Sequence, residues 1–537
     1  MMNRNKFFKP ILTLAIVLLA LYTGVRLGKV FSDSRVLKLS MPEQNNLSAV
    51  MEYISKFYVD SVNTEDVIVN ILKELDPHSI YIPASELQKS NEHIEGNFEG
   101  IGVTFDMLDD TVVVINVIPD GPSSRAGVSP GDRIIAVDDS VIAGRNIGNE
   151  KIMGLLRGKS GTKVRIEVRR VELDEPVPIE ITRDKVPLKS IDVAYMIAPG
   201  TGYIRMTGFA QNTHSEFVEA VEKLHSEGMT NIILDLRDNR GGLLDQAIKI
   251  TSELFADKKL IVYTEGRAIP RRNEYSKGKG KCGNDSLTVL INEHSASASE
   301  ILAGAVQDND RGTVIGRRSF GKGLVQQMIG LPDGAGLRLT IARYYIPSGR
   351  SIQRHYEHGA SAYLEYYGDL DARWENGEYV NADSVKLVDT TRYYTSKGRT
   401  VYGGGGVTPD VFVSLDTGNM PVSRAINSRI LRDYAIAFGD RHRKELNAIA
   451  DLEQMERFFR KNNPFPEFNS YLKNRGVRDP DREISKSKLF LDRYLKVYIS
   501  QISPMSDLGA TFLLNKFDMT VQKALEIINA QKTEDNV

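Results

Sequence analysis

The chain has one cysteine and one tryptophan in 537 residues, and no excess of either charge, with 69 Lys and Arg against 70 Asp and Glu. A single cysteine, Cys282, excludes an internal disulfide and any multi-cysteine zinc site, so packing must hold the fold together. A lone thiol of this kind reads as a small filler or surface residue rather than a nucleophile. The balanced charge lacks the basic excess of a nucleic-acid binder, so no nucleic-acid partner is expected. The eight histidines are scattered, and His355-Tyr356-Glu357-His358 is not the His-Glu-x-x-His zinc pattern, so no metal and no cofactor is expected. There is no internal repeat and no low-complexity tract, and beyond residue 28 no apolar run is long enough to span a membrane. With 41% hydrophobic and 26% charged residues, what remains is a globular chain with room for about three or four domains.

The first 28 residues have the pattern of an export segment. Arg4, Lys6 and Lys9 precede an uncharged run from Pro10 to Val25, and Arg26 closes it. The run is short for a full span, and no small-x-small cleavage site precedes Arg26. It reads either as a signal peptide or as an uncleaved anchor whose basic end stays in the cytoplasm. The rest of the protein is then expected outside the cytoplasmic membrane, in the periplasm.

Four regions follow. Residues 40–90 read as helical, with Val50, Ile54 and Phe57 on one face. In a second helix, Thr64 is the N-cap, Ile68, Ile71, Leu72 and Leu75 share a side, and Asp76-Pro77 stops it. Residues 91–172 are mostly β: Ile101–Phe105, Thr111–Ile118, Arg133–Val137 and Lys163–Arg169 are short β-branched runs broken by Gly and Pro, and Ile147–Leu156 is the one good helix. Residues 173–415 alternate apolar strands (Ile232–Leu236, Leu287–Ile291) with helices (His214–Glu227, Leu244–Phe255, Ala298–Gln307), the signature of an α/β domain, with a loop-rich insertion near 355–400. Residues 416–537 are helical again, through Ile426, Ile430, Tyr434 and Phe438 and then Val521, Leu525 and Ile528. This tail reads as a packing region or a contact between subunits of a homo-oligomer.

Three stretches carry chemistry. Ser295-Ala296-Ser297-Ala298-Ser299-Glu300 follows an apolar strand and opens a helix, where a serine is held out from the sheet beside helix amides that can bind an oxyanion. A helix cap needs only one of these serines, and the pattern alone does not say which reacts. Some 25 residues on, Ser319-Phe320-Gly321-Lys322-Gly323 puts a lysine between glycines. If buried, its amine loses protons easily and can accept one from a serine; if exposed, it is a turn residue. Asp235-Leu236-Arg237-Asp238-Asn239-Arg240-Gly241-Gly242 ends a strand on two glycines. With no Gly-Lys-Ser/Thr after it, it is a strand-to-helix turn rather than a phosphate loop.

Together these runs resemble the C-terminal processing peptidases, or tail-specific proteases, of serine peptidase family S41. Further co-linear matches are Leu75-Asp76-Pro77-His78-Ser79-x-Tyr81, Ile346-Pro347-Ser348-Gly349-Arg350-Ser351-Ile352-Gln353 and Gly406-Val407-Thr408-Pro409-Asp410, so the resemblance covers roughly 45–415. It implies an α/β core like that of ClpP and crotonase proteins, with a PDZ domain inserted before it. It also implies a serine endopeptidase that binds the C-terminal tails of protein or peptide substrates. Carried over by position, Ser297 is the nucleophile, Lys322 the base and Gln326 the residue that orients the lysine. The oxyanion hole falls to Ala298 with Gly241 or Gly242. Arg240 stands where the family has proline, which leaves open which glycine donates. In the PDZ-like region, Gly100, Ile101, Gly102 and Val103 form the carboxylate-binding loop, beside a strand edge that can pair with a peptide. Two other readings are a non-catalytic PDZ adaptor and an acyl hydrolase on a crotonase-like core. A Ser297–His294 pair is disfavoured because Lys322 already fills the base position.

Overall fold

The computed structural model describes residues 46–171, 173–357, 359–387, 389–416 and 428–534. The export segment at 1–28 and Ile426 lie outside them. The described chain divides at Val67 into two units. In the first, Asn46–Phe57 is a helix with no buried residue. All else below concerns the second. No helix of the described residues is long and apolar enough to cross a membrane.

The protein is mixed α/β. Its central sheet has six strands in the order Ile191–Ala198, Thr201–Met206, Asn231–Asp235, Ser286–Ile291, Thr313–Gly316 and Val411–Phe412. The first pair is antiparallel and the others are parallel. Its apolar runs are buried on both faces, as parallel strands require. Ile232, Leu234, Val289 and Ile291 pack against helices Thr213–Ser226, Leu244–Glu253 and Ala298–Asp308. Ile233, Leu290 and Ile315 pack on the other face against Val521, Ala524 and Ile528 of the last helix, Met519–Glu534. Cys282 is fully buried in the first of these layers. A second sheet joins Ile80–Ile82, Gly336–Tyr345, Leu260–Glu265 and Arg272–Tyr275, with Leu324–Gly330 paired to Gly336–Tyr345.

Residues 103–182 form a separate β module with its own core of Ile134, Ile152, Val164, Ile166 and Ile181. Its strand order is Val103–Leu108, Thr111–Val117, Arg133–Val137, Lys163–Arg169 and Val177–Thr182, so Val103–Leu108 is an edge strand. A two-stranded neck, Asn97–Gly100 against Asp184–Pro187, ties both ends of the module to the rest of the chain.

The region near 355–400, expected to be loop-rich, contains a 16-residue helix, Ala360–Glu375. Tyr363, Tyr366, Tyr367, Leu370 and Trp374 recur at helical spacing, but the glycine and charged residues among them give the stretch the composition of a loop. Tyr366 on it is buried, while Trp374 stays half-exposed beside Tyr379.

Eight helices are described from Ser428 onward. Most share an independent core around Tyr434, Phe438, Phe458, Phe468 and Leu495. They also grip the β module. Arg133 pairs with Asp440, Arg475 with Asp109 at 2.9 Å, and Asn116 Nδ2 donates to Ser506 Oγ at 3.1 Å. Arg443, which also pairs with Asp440, lies so close to Gly131 that a Cβ there would come within 2.7 Å of the guanidinium.

Asp440→Arg should therefore leave the part-buried Arg133 and the buried Arg443 without their shared anion and loosen this contact, at a cost of about 1–3 kcal/mol. Hydrogen exchange should speed up at 128–133 and in the Ser428–Arg441 helix. Unchanged protection at both places would show that the pair does not hold the interface.

Candidate active site

The three alternating serines have different surroundings. Ser295 Oγ donates to the Leu236 carbonyl at 2.8 Å and accepts the Asn292 amide at 2.9 Å. Ser299 Oγ donates to the Asn239 carbonyl at 2.9 Å. Both side chains are fully buried, and both tie the loop before the Ala298–Asp308 helix to the loop after Asn231–Asp235. Ser297 stands between them at φ 55° and ψ −112°, a left-handed conformation that a non-glycine residue holds only when its surroundings impose it. It is part-exposed and lines a cavity of about 550 Å³.

The imposing contact is Glu300. Fully buried, its carboxylate accepts the Ser297 amide at 2.8 Å, the Gly321 amide at 2.7 Å, the Lys322 amide at 2.8 Å and the Ser319 hydroxyl at 2.5 Å. Burial raises the Glu300 pKa, and these four donors oppose the rise. One side chain thus sets the backbone of both the serine loop and the lysine loop. The Tyr344 hydroxyl joins the same two residues from the other side. It hydrogen-bonds the Lys322 carbonyl and lies 3.1 Å from the Ser297 carbonyl.

Lys322 lines the same cavity, and its pKa is lowered from 10.5 to about 8, by burial first and then by the positive charge of Arg338. Its Nζ donates to Gln326 Oε1 at 2.8 Å, and Gln326 Nε2 donates to the His78 carbonyl at 2.6 Å. The second bond fixes which end of the amide faces the lysine. Asp76 holds the His78 turn by accepting the amides of His78 and Ser79 at 2.8 and 2.9 Å and the Ser79 hydroxyl at 2.6 Å. The His78 ring, 3.0 Å from the Tyr366 hydroxyl, is driven down to about 3 by burial first and then by Lys322, so it is neutral. The remaining motifs brace the lysine loop. Gln353 Oε1 accepts the Gly323 amide at 2.7 Å, and Ser319 Oγ accepts the Val407 amide at 2.6 Å.

Gly241, Gly242 and Ala298 complete the cavity wall. Gly241, at φ 93°, lies so close to the Ser297 loop that a Cβ would meet the Ala296 carbonyl at 2.7 Å and Ser297 Cβ at 2.8 Å. Its amide is donated to Asn239 Oδ1 at 2.9 Å. The bridge to Phe209 uses the Gly241 carbonyl and the Leu243 amide, which leaves the Gly242 amide unused by either contact. Asn239 Nδ2 in turn donates to the Met206 carbonyl at 2.8 Å, so the glycine pair is positioned by Asn239 and the Arg240 side chain is exposed at the rim.

Ser297, Lys322, Gln326, Ala298, Gly241 and Gly242 therefore converge on one cavity. Gly100, Ile101, Gly102 and Val103 lie apart, where the neck enters the β module. There the Ile101 and Gly102 carbonyls accept the amides of Ser123 and Ile118. His294 lines a different cavity, with Arg237 and Asp518. Cys282 is buried in the core, and burial pushes its thiol pKa up. His355 is exposed 3.7 Å from Glu357, and the described residues hold no cluster of three or more metal-ligating side chains. The anchoring roles of Glu300, Asp76, His78 and Tyr344 were not legible in the sequence. Glu300, Asp76 and His78 sit inside recognised motifs, but partners of each lie 19 or more residues away: Ser319, Gly321 and Lys322 for Glu300, Thr340 for Asp76 and Gln326 for His78.

Known proteins match along most of this chain. The model for Peptidase family S41 matches residues 200–359, a PDZ domain model matches 100–181, and a family of unknown function matches 422–502. A carboxy-terminal-processing protease of Bartonella bacilliformis is 37% identical over 336 residues, which is 61% of this chain and 72% of that one. A carboxyl-terminal-processing protease of Picosynechococcus is 31% identical over 380 residues, 66% of this chain and 89% of that one. Among solved structures, a photosystem II D1 C-terminal processing protease is 26% identical, covers 69% of this chain and 87% of that one, and has a TM-score of 0.37.

Glu300→Gln tests the clamp. An amide in place of the carboxylate turns one acceptor into a donor facing backbone N–H groups, and should cost about 1–3 kcal/mol of stability. Peptide turnover should fall at least about tenfold, because the Ser297 backbone is no longer held. Full turnover in a folded Glu300→Gln protein would show that the clamp does not set the site.

Proposed function

The chain belongs to the carboxy-terminal-processing protease family, and we propose that it is a serine endopeptidase working through Ser297 and Lys322 on proteins captured by their C-terminal tails. The observation that carries this reading is the Lys322 amine, part-buried in the cavity it shares with Ser297 and with its pKa lowered to about 8. With Gln326 Oε1 accepting one N–H, a neutral amine keeps its lone pair for the serine.

The steps follow from these positions. Neutral Lys322 takes the Ser297 hydroxyl proton as Oγ attacks the scissile carbonyl carbon. The charge that develops on the carbonyl oxygen is met by the Ala298 amide and, since Asn239 occupies the Gly241 amide, by that of Gly242. Collapse breaks the C–N bond, Lys322 returns its proton to the leaving amine, and an acyl ester remains on Ser297. A water then gives a proton to Lys322 as its oxygen attacks the ester carbon, the bond to Ser297 Oγ breaks, and Lys322 returns the proton to Oγ. In the PDZ module, the amides of Gly100–Val103 receive the terminal carboxylate of the substrate. The free edge of Val103–Leu108 adds the tail as a further strand, with the Asn149–Leu156 helix as the other wall. The basic and apolar run at 1–28 supports export to the periplasm, where such tails would be met, with or without retention of that segment as an anchor.

Ser297→Ala and Lys322→Ala should each lower turnover of a tailed protein by a factor of at least about 10³ while the fold persists. Normal rates in either would refute the pairing. A protein that only captures tails would show no difference between wild type and Ser297→Ala, and an acyl hydrolase would turn over a small thioester but not a tailed protein. Because the reactive form of Lys322 is unprotonated, about a tenth is competent at pH 7, and kcat/KM should rise through pH about 8 and level off above it. A flat profile from pH 6 to 10 would exclude a lysine base. Amidating the substrate's C-terminus should raise KM far more than it changes kcat.

A further inference from the structure

Besides Lys322, the active-site cavity holds one part-buried cation among the described residues, and it exchanges no proton in these steps. Arg338, on the Gly336–Tyr345 strand, lines it together with Lys322 and is half-buried. Its Nη2 donates to Ser90 Oγ at 3.0 Å, and among the described residues it has no ion-pair partner. Burial alone acts on its pKa, pulling it down, with no neighbouring carboxylate to offset the loss of water. The other charges on the cavity are Lys322 itself and, exposed at the rim, Arg240 and Glu95.

A guanidinium taken partly out of water without an anion is in an unfavourable state, and a carboxylate is the group its planar fork fits best. Much of the surrounding wall is apolar, from Ile94, Leu243, Ile301, Leu324, Val325 and Met328, which weakens screening and strengthens any charge pair formed there. We propose that Arg338 is a subsite for a carboxylate of the bound peptide, so that the cleft selects chains carrying an acidic group within a few residues of the bond to be cut. This rests on the endopeptidase reading above and names its substrate class. The carboxylate has two sources, an Asp or Glu side chain or the free terminus of a short chain.

The test is a series of neutral peptides in which a single Glu is moved through the positions flanking the cleaved bond, each made with a free or an amidated C-terminus. For wild type, Arg338→Met, Arg338→Lys and Arg338→Glu, the quantity read is the ratio of kcat/KM for each acidic peptide to that of its neutral parent. In wild type, one Glu position should be favoured by about tenfold or more. The ratio should fall to near one in Arg338→Met, survive in part in Arg338→Lys, and drop below one in Arg338→Glu. If only the free-terminus peptides show the preference, the terminal carboxylate is the ligand. A ratio unchanged by all three substitutions would overturn the proposal. So would a shift of the pH profile equal for acidic and neutral peptides with the ratio unmoved, since Arg338 would then act only on Lys322. Fluorescence anisotropy of the amidated peptides on Ser297→Ala, with and without Arg338→Met, reads the same preference without turnover. Arg338-dependent binding with no cleavage by wild type would keep the subsite and reject the endopeptidase reading.

Discussion

The site depends on a single buried carboxylate. Glu300 accepts amides from the serine loop and from the lysine loop at once, at 2.7 to 2.8 Å. Placing a carboxylate where no water reaches is costly unless its oxygens are filled, and here they are filled only if Ser297, Gly321 and Lys322 all present their N–H groups inward. Folding of the helix that contains Glu300 therefore drags two distant loops into register. The left-handed φ of Ser297, which would be strained in isolation, becomes the conformation that satisfies the carboxylate.

The lysine side is built by the same logic, one remove further out. Asp76 collects the amides of a turn, the turn presents the His78 carbonyl, the carbonyl fixes the Gln326 amide, and that amide orients Nζ. Each link is a short bond, of 2.6 to 2.9 Å. In the proposed mechanism Lys322 must be unprotonated and correctly aimed at the same time. Burial together with the Arg338 charge supplies the first condition, and the Asp76–His78–Gln326 chain supplies the second.

The remainder of the molecule arranges what reaches this centre. The β module hangs from the core by a two-stranded neck, a connection that would by itself leave it free to swing. Its far side is gripped by the C-terminal helices through Asp440, Arg443, Arg475 and Ser506. The last helix of the same region packs on the central sheet through Val521, Ala524 and Ile528. The described part of the 422–502 stretch, which matches a family of unknown function, thus belongs to a region that links the module to the sheet.

Much of this was legible in the sequence. Apolar runs such as Ile232–Leu236 signal strands covered on both faces, and Ile232, Ile233 and Leu234 divide between two cores as that pattern requires. The order of the motifs named the residues that converge on the cavity. Three things were not legible. The 360–375 helix was hidden because glycine and charged residues dilute the helical spacing of Tyr363, Tyr366, Tyr367 and Trp374. The pattern by itself did not choose among Ser295, Ser297 and Ser299, whose local sequences are nearly identical, and only the family resemblance pointed to Ser297. The roles of Glu300 and Asp76 were hidden because an acid beside a serine run has the same composition whether it faces water or four donors. Local patterning decides which segments become strands and helices, since it depends on neighbours a few residues apart. Only the tertiary structure decides which serine is left facing the cavity, which lysine loses its water and which glycine amide stays free, because each depends on a partner brought in from a remote part of the chain.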